Sequence, residues 1–277
     1  MIILKIGGSI LTKKDSAKPE VDYSNLDRIA CEIKDSLQSD SICQDLSDGL
    51  IIVHGAGSFG HPPASKYKIG ESFTDEEYPY KRLGFAEIQN QVKKLDSIIC
   101  DSLIKHDIPV VSIPPSAFVT TVNKRIYEFR LGIIKEYLKE GYVPVLYGDI
   151  VLDENLKMAI ISGDQILQYI AKILKSDNII LGTDVDGVYT KSPKTHEDAE
   201  LIPILTNLNQ IKELESTNNI DVTGGMVGKV NELLELAHLG IDSEIINANT
   251  PNTIANALQS KNIKGTKITN KIEKYNY

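Results

Sequence analysis

Gly49-Leu50-Ile51-Ile52-Val53-His54-Gly55-Ala56-Gly57-Ser58-Phe59-Gly60-His61 carries a short apolar run into a glycine-rich turn, with a histidine on each side of the glycines. Leu50 to Val53 is apolar and largely β-branched, the composition of a buried strand. Gly55, Gly57 and Gly60 have no Cβ, so backbone N–H groups in this turn can approach an anion closely. His61 stands at the exit of the turn, where it could donate a hydrogen bond to the same anion. The stretch reads as a phosphate site at the end of a strand, and the rest of the chain must supply its counterparts.

The same residues match a dinucleotide fingerprint, Gly55-x-Gly57-x-x-Gly60, but the surroundings oppose it. That fingerprint needs a helix running on from the glycines, and Pro62-Pro63 predicts an interruption there. It also needs an acid at the end of a second strand about 20 residues on. Asp75, Glu76 and Glu77 fall at that distance, in a polar stretch with no strand pattern.

At 277 residues the chain can bury one large α/β core or two closely packed lobes. Its 42% hydrophobic and 25% charged composition is that of a soluble globular protein. A formal net charge of −8 disfavours general binding to nucleic acid. No run approaches the roughly 18 apolar residues of a spanning helix, and no basic leader precedes the first apolar run, so the expected compartment is the cytoplasm. Cys31, Cys43 and Cys100 share no metal or disulfide spacing and read as small apolar fillers.

Outward from the turn, strands and helices alternate. Ile2–Ile6 is a strand ended by Gly7-Gly8-Ser9, and Asp22–Leu37 is a helix that Ser24 or Asn25 could cap. Tyr67–Tyr80 reads as a loop or lid, and Leu83–Leu103 as a long amphipathic helix. Strands follow at 109–113 and 142–147, with a helix at 130–138 between them. Ile150–Leu152 and Met158–Ile161 could pair as a hairpin. Ser162-Gly163-Asp164 opens a helix over 165–174, with Asp164 a possible cap. Further strands are expected at 178–182, 243–247 and 265–268, with helices ending near His238 and over 252–259. This alternation predicts a mostly parallel sheet covered on both faces, with ligands beyond its carboxyl edge.

Lys5 is a charge inside an apolar strand. It reads either as an edge lysine facing water or as an ammonium aimed at a phosphate held by the next turn, and the adjacent Gly7-Gly8 favours the second. Gly224-x-x-x-Gly228-Lys229-Val230 is a near miss to a Walker A loop, one residue short and without the final hydroxyl. It still offers glycines and a lysine at a helix start. Asp184-x-Asp186-Gly187 lacks the remainder of a calcium loop. Two anion sites plus Lys5 imply two phosphorylated groups facing one another, which is what phosphoryl transfer requires.

The ordered set Lys5-Ile-Gly-Gly-Ser9, His54-Gly-x-Gly-Ser-Phe-Gly-His61, Ser162-Gly-Asp164, Thr183-Asp-Val-Asp-Gly187 and Asp221-Val-Thr-Gly-Gly-Met226 with Lys229 resembles the amino acid kinase superfamily, and within it the isopentenyl phosphate kinases. The histidine at position 61 separates that group from acetylglutamate, aspartate and UMP kinases. The resemblance implies a three-layer αβα sandwich with a mostly parallel central sheet, one domain over 1–277. Its N-terminal lobe, about 1–176, would take the acceptor, and its C-terminal lobe, about 177–277, would take ATP. It implies ATP-dependent phosphorylation of isopentenyl phosphate for isoprenoid biosynthesis, Mg2+ carried by ATP without a protein metal site, and a homodimer.

The resemblance assigns Lys5 and Lys229 to the ATP phosphates and the transferring group, with Lys14 as a further cation. Gly7, Gly8, Ser9 and Gly57 would meet the nucleotide through the backbone, and Asp164 would hold the two lysines. Asp184 and Asp186 would lie near the nucleotide and Gly225 beside its phosphates. Ala56, His61 and Gly163 would contact the acceptor phosphate. Phe85, Ile88 and Ile150 are candidates for its apolar C5 tail, each also readable as ordinary core. A fosfomycin-type phosphonate kinase is the nearest alternative, and a non-catalytic nucleotide- or oxyanion-binding protein on the same fold is the other.

Overall fold

Six strands end on one edge of one sheet, and the glycines collect along that edge. The computed structural model describes residues 1–13, 18–38, 49–193, 195–211 and 226–270. Its strands are β1 (Ile2–Ile6), β2 (Leu50–His54), β3 (Val110–Ser112), β4 (Val119–Val122), β5 (Arg125–Phe129), β6 (Val143–Tyr147), β7 (Asp149–Asp153), β8 (Lys157–Ile161), β9 (Asn178–Thr183), β10 (Ile204–Leu205), β11 (Asp242–Asn247) and β12 (Gly265–Ile268). Eight of them form a sheet in the order β10-β12-β11-β9-β1-β2-β6-β3, parallel throughout except for β11 against β12. The register aligns Ile6 with His54 and Gly182, His54 with Tyr147, and Thr183 with Asn247. Gly7, Gly55 and Gly148 therefore leave the sheet side by side at its carboxyl ends.

The helices are α1 (Gly8–Leu11), α2 (Tyr23–Leu37), α3 (Gly57–Lys66), α4 (Tyr78–Lys105), α5 (Gly132–Lys139), α6 (Gly163–Leu174), α7 (Met226–His238) and α8 (Thr253–Leu258). Alternation along the strands sorts them into two layers. Ile3, Ile51, Val53, Ile179 and Leu181 join one core with Ile134 of α5, Ile166 and Ile170 of α6, and Val230 and Leu233 of α7. Ile2, Leu4, Ile52 and Ile180 join the other core with Leu26 and Ile29 of α2, Leu95 and Ile99 of α4, and Ile254 of α8. The result is the expected αβα sandwich, each buried Ile or Leu contributing roughly 1.5–3 kcal/mol against the unfolded chain.

The remaining four strands make a smaller sheet, β5-β4-β7-β8, in which β7 and β8 are the expected hairpin. Its other hairpin, β4–β5, turns at Asn123 and Lys124, both with positive φ, and was not anticipated between the strand at 109–113 and the helix at 130–138.

Some local expectations are corrected. The helix α3 runs from Gly57 to Lys66 straight through Pro62 and Pro63. Their missing N–H groups would have bonded the carbonyls of Ser58 and Phe59, and burial of Phe59, Gly60 and Pro63 outweighs that loss. As expected, the acids at 75–77 lie on no strand but in a turn leading into α4, so the dinucleotide fingerprint lacks its acid on a second strand. The loop at 67–80 is shorter than expected, because α4 begins at Tyr78. Asp22 caps α2, accepting from the N–H of Asn25 at 3.0 Å, and Ser162 caps α6, accepting from Gln165 at 3.1 Å. Asp164 is thereby left for another task. Of the cysteines, Cys100 is a buried filler and Cys31 is exposed, while Cys43 lies outside the described residues. Among the described residues no helix is long and apolar enough to cross a membrane.

Candidate active site

Lys5 is odd-numbered on β1 like Ile3, so it points to the face covered by α6 and α7. It is only 5% exposed. Asp164, in the first turn of α6, offers one carboxylate oxygen to Lys5 Nζ at 2.8 Å and the other to Lys229 Nζ at 3.8 Å. The lysine of β1 and the lysine of α7 are thus gathered about one carboxylate. The carboxylate between them keeps the two ammonium groups from repelling one another apart.

Against this centre the first two glycine turns pack backbone on backbone. A Cβ on Gly8 would lie 2.4 Å from the Gly57 nitrogen, and one on Gly55 would lie 2.6 Å from the Gly8 nitrogen. Gly57 has φ +49, a conformation that other residues adopt at a cost. Thr12, 3% exposed, pins the two turns together: its hydroxyl donates to the Gly8 carbonyl at 2.8 Å and accepts from the Ser58 N–H at 3.1 Å. Gly163 closes the arrangement, since a Cβ there would lie 3.3 Å from the His54 carbonyl and 3.6 Å from Lys5 Cε. The first N–H groups of α3 and α6 have no carbonyl a turn behind them and carry the positive end of each helix. His61 is exposed on α3, one turn after Gly57 on the same face.

Beside the turns lies a small apolar cluster separate from both cores. Ile88 and Val92 of α4, Tyr147 at the end of β6 and Ile150 of β7 are buried, with Ala56, Ala64, Ile69 and Phe85 packed on them. All three residues proposed for a tail pocket fall in it, and Ala56 joins it to the glycine turn. Asp149 supports its floor, accepting from the N–H groups of Ser116 at 3.0 Å and Ile150 at 2.8 Å. Burial pushes the Asp149 carboxyl above its ordinary range, against the pull of those hydrogen bonds.

At the β9–β11 part of the edge, Asp186 faces inward upon three donors. Lys264 Nζ lies 2.5 Å from one oxygen, Tyr189 donates to that oxygen at 3.2 Å, and Asn247 donates to the other at 2.9 Å. Lys264 above all holds the Asp186 carboxyl below its usual range. Asp184 is partly buried two residues earlier. Lys14 and Gly225, together with the Asp221–Gly225 stretch, lie outside the described residues.

Sequence reasoning missed Thr12, because a single hydroxyl in a loop has no spacing to mark it. It also missed a groove of about 540 Å³ flanking Lys229, lined by Arg125, Gln168, Asn231 and Glu232 among others. Burial pushes the Glu232 carboxyl up, the Asp164 charge adds to this, and Arg125 at 3.5 Å opposes it.

The model of the amino acid kinase family matches residues 1–247. An isopentenyl phosphate kinase of Methanothermobacter thermautotrophicus is 50% identical over 98% of this chain and 100% of its own length. The isopentenyl phosphate kinase of Methanocaldococcus jannaschii is 41% identical over 97% of this chain and 98% of its own. A solved isopentenyl phosphate kinase structure superposes with a TM-score of 0.86 at 47% identity, covering 97% of this chain and all of the other. By these matches, and by the lysines and glycine turns described above, the chain belongs to the amino acid kinase family and, within it, to the isopentenyl phosphate kinases.

Proposed function

We propose that this chain transfers the γ-phosphoryl group of ATP to isopentenyl phosphate, forming isopentenyl diphosphate and ADP. A phosphate oxygen of the acceptor attacks the γ-phosphorus, and the bond to the β–γ bridging oxygen breaks. The attacking atom is already anionic, so no strong base is required; the obstacle is repulsion between two phosphates. The observation that carries the reading is the Lys5–Asp164–Lys229 centre beside glycine turns that open onto a separate apolar cluster. A cationic centre suits the moving phosphoryl group, and an apolar wall one residue from the turn suits a hydrocarbon tail.

In this reading Lys5, Lys229 and Lys14 neutralise the transferring group, and Asp164 positions the first two. Gly7, Gly8, Ser9 and Gly57 present the backbone to the ATP phosphates, with Gly225 beside them and Asp184 and Asp186 near the nucleotide. Ala56, His61 and Gly163 hold the acceptor phosphate, and Phe85, Ile88 and Ile150 meet its tail. In this reading Mg2+ arrives with ATP and not at a metal site of the protein's own. Mg2+ bound to the nucleotide would neutralise charge on its phosphates. The acceptor would bind in the lobe of about 1–176 and ATP in that of about 177–277, in a homodimer.

An assay of ADP release with Mg-ATP and isopentenyl phosphate, fosfomycin or UMP tests this. Turnover on isopentenyl phosphate alone is expected; preference for fosfomycin would keep the cationic centre and overturn the acceptor. His61→Ala should lose most acceptor binding, whereas Lys5→Ala should lower turnover more than affinity. Near-normal kinetics in His61→Ala would remove that histidine from the site.

A further inference from the structure

Of the two histidines that bracket the glycine turn, the one with no part in the reaction above is the more deeply buried. His54 is 0% exposed and ends β2. It alternates with Val53, so its ring points to the face opposite Lys5, toward α4. There Nε2 lies 3.2 Å from Asp96 Oδ1, and Asp96 is itself 2% exposed. Ser112 donates to the other Asp96 oxygen, and the Cys100 thiol lies 3.8 Å from the first. The ring stacks on Tyr147, with centroids 5.2 Å apart and planes inclined by 25°. Its Nδ1 lies 3.1 Å from the Gly55 carbonyl oxygen.

A carbonyl oxygen can only accept, so Nδ1 serves as the donor of this contact, while Nε2 faces the Asp96 carboxyl. The consequence concerns the next peptide. In a trans peptide the C=O and N–H point in opposite directions, so a donor fixed on the Gly55 carbonyl fixes where the Ala56 N–H aims. Ala56 is the N-cap of α3 and joins the apolar cluster beside the turn. Asp96 meanwhile sits on α4 between Val92 of that cluster and Leu95 and Ile99 of the sheet core, so the anchor is tied to the helix that lines the cluster.

We propose that the His54–Asp96 pair is a positioning device: it clamps the Gly55–Ala56 peptide so that the Ala56 N–H is aimed, before binding, at the acceptor phosphate. The inference rests on the proposed acceptor site. His54 touches no reacting atom; it acts through the backbone it holds. Preorganised backbone donors are effective because they need no reordering when the anion arrives.

Two substitutions separate the two ring nitrogens. In His54→Asn the side-chain amide nitrogen falls near the place of Nδ1, and a donor to Gly55 is kept. In His54→Gln it falls near the place of Nε2, and the contact with Asp96 is kept while the Gly55 carbonyl loses its partner. KM for isopentenyl phosphate should rise about tenfold or more in His54→Gln and stay within about threefold of wild type in His54→Asn, with KM for ATP unchanged in both. A purely structural histidine would make KM follow Tm, and His54→Asn, which leaves buried Asp96 with Ser112 and Cys100 but without its ring partner, should then be the worse variant. Equal KM values in the two variants, or the reverse order, overturn the inference. Absence of wild-type turnover on isopentenyl phosphate would instead overturn the proposed function. A measurement on the unaltered protein serves if either variant fails to fold: the Ala56 amide resonance should shift on titration with isopentenyl phosphate, and an unmoved resonance in a protein that turns that substrate over also overturns the clamp.

Discussion

The carboxyl edge of the sheet is built in two ways. Around β1 and β2 it is made of backbone: Gly8 against Gly57 and Gly55 against Gly8, at separations that admit no side chain, with Thr12 bridging them. Around β9 and β11 it is made of side chains: Asp186 gathers Lys264, Asn247 and Tyr189. Backbone packing fixes N–H directions rigidly and fails when volume is added. A side-chain cluster fails when charge is removed. The Lys5–Asp164–Lys229 centre joins the two halves and combines both properties, because its charge is buried at Lys5 and packed against Gly163.

The centre is therefore where the largest effect is expected. Asp164→Asn leaves Lys5, 5% exposed, without its counter-charge. Breaking a buried pair from one side costs about 3–5 kcal/mol. Denaturant unfolding should show a loss of that order, and kcat should fall by about 100-fold through misplaced lysines. A variant with wild-type stability would mean that the carboxylate is not what holds Lys5. Second in size is Gly8→Ala. Its Cβ would meet the Gly57 nitrogen at 2.4 Å, and neither partner is a flexible side-chain end. Forcing the turns apart should cost about 1–3 kcal/mol and lower kcat/KM by about 100-fold. If Gly8→Ala harms no more than Asn247→Ala beside Asp186, the distinction between backbone and side-chain construction fails.

Asp186→Asn sharpens the other side of the comparison. Lys264 and the hydrogen bonds depress the Asp186 carboxyl, so its stabilisation is present above the unfolded carboxyl value, about 3.9, and is lost as pH falls through the lower folded value. Thermal scans should show a small drop in Tm for the variant at pH 7 that shrinks as pH falls below about 4 toward the lowered folded value. KM for ATP should rise while KM for the acceptor stays unchanged. A pH-independent gap would show that the charge is not what Asp186 contributes.

The same contrast explains what can be read without coordinates. Gly55, Gly57 and Gly8 are legible because close backbone approach admits one residue type. Lys5 is legible because a charge in an apolar strand needs a reason. Phe85, Ile88 and Ile150 can be named only as a group, since an apolar side chain looks the same in a core and in a pocket. Thr12 is invisible because its role depends on two turns meeting in space. The β4–β5 hairpin escapes because it turns on Asn123-Lys124, and lysine is a poor signal for positive φ. Pro62 and Pro63 mislead because tertiary burial outweighs two lost hydrogen bonds.

The smallest expected effect has the opposite sign. Glu232 lies on α7, three residues after Lys229, and burial with the nearby Asp164 charge pushes its carboxyl up. An acid raised in the folded state contributes stability that is present below the unfolded value, about 4.3, and is lost as pH rises through the folded one. Glu232→Gln removes that loss and also the attraction to Arg125, which is weak because Arg125 is largely exposed. Thermal scans at pH 8 should place the variant at or above wild type by no more than about 2 °C, and at pH 4 the two should converge. A clear loss of stability at pH 8 would mean that Glu232 is held as a required partner of Arg125, and that the side-chain mode of construction extends along α7 from Lys229 into the groove.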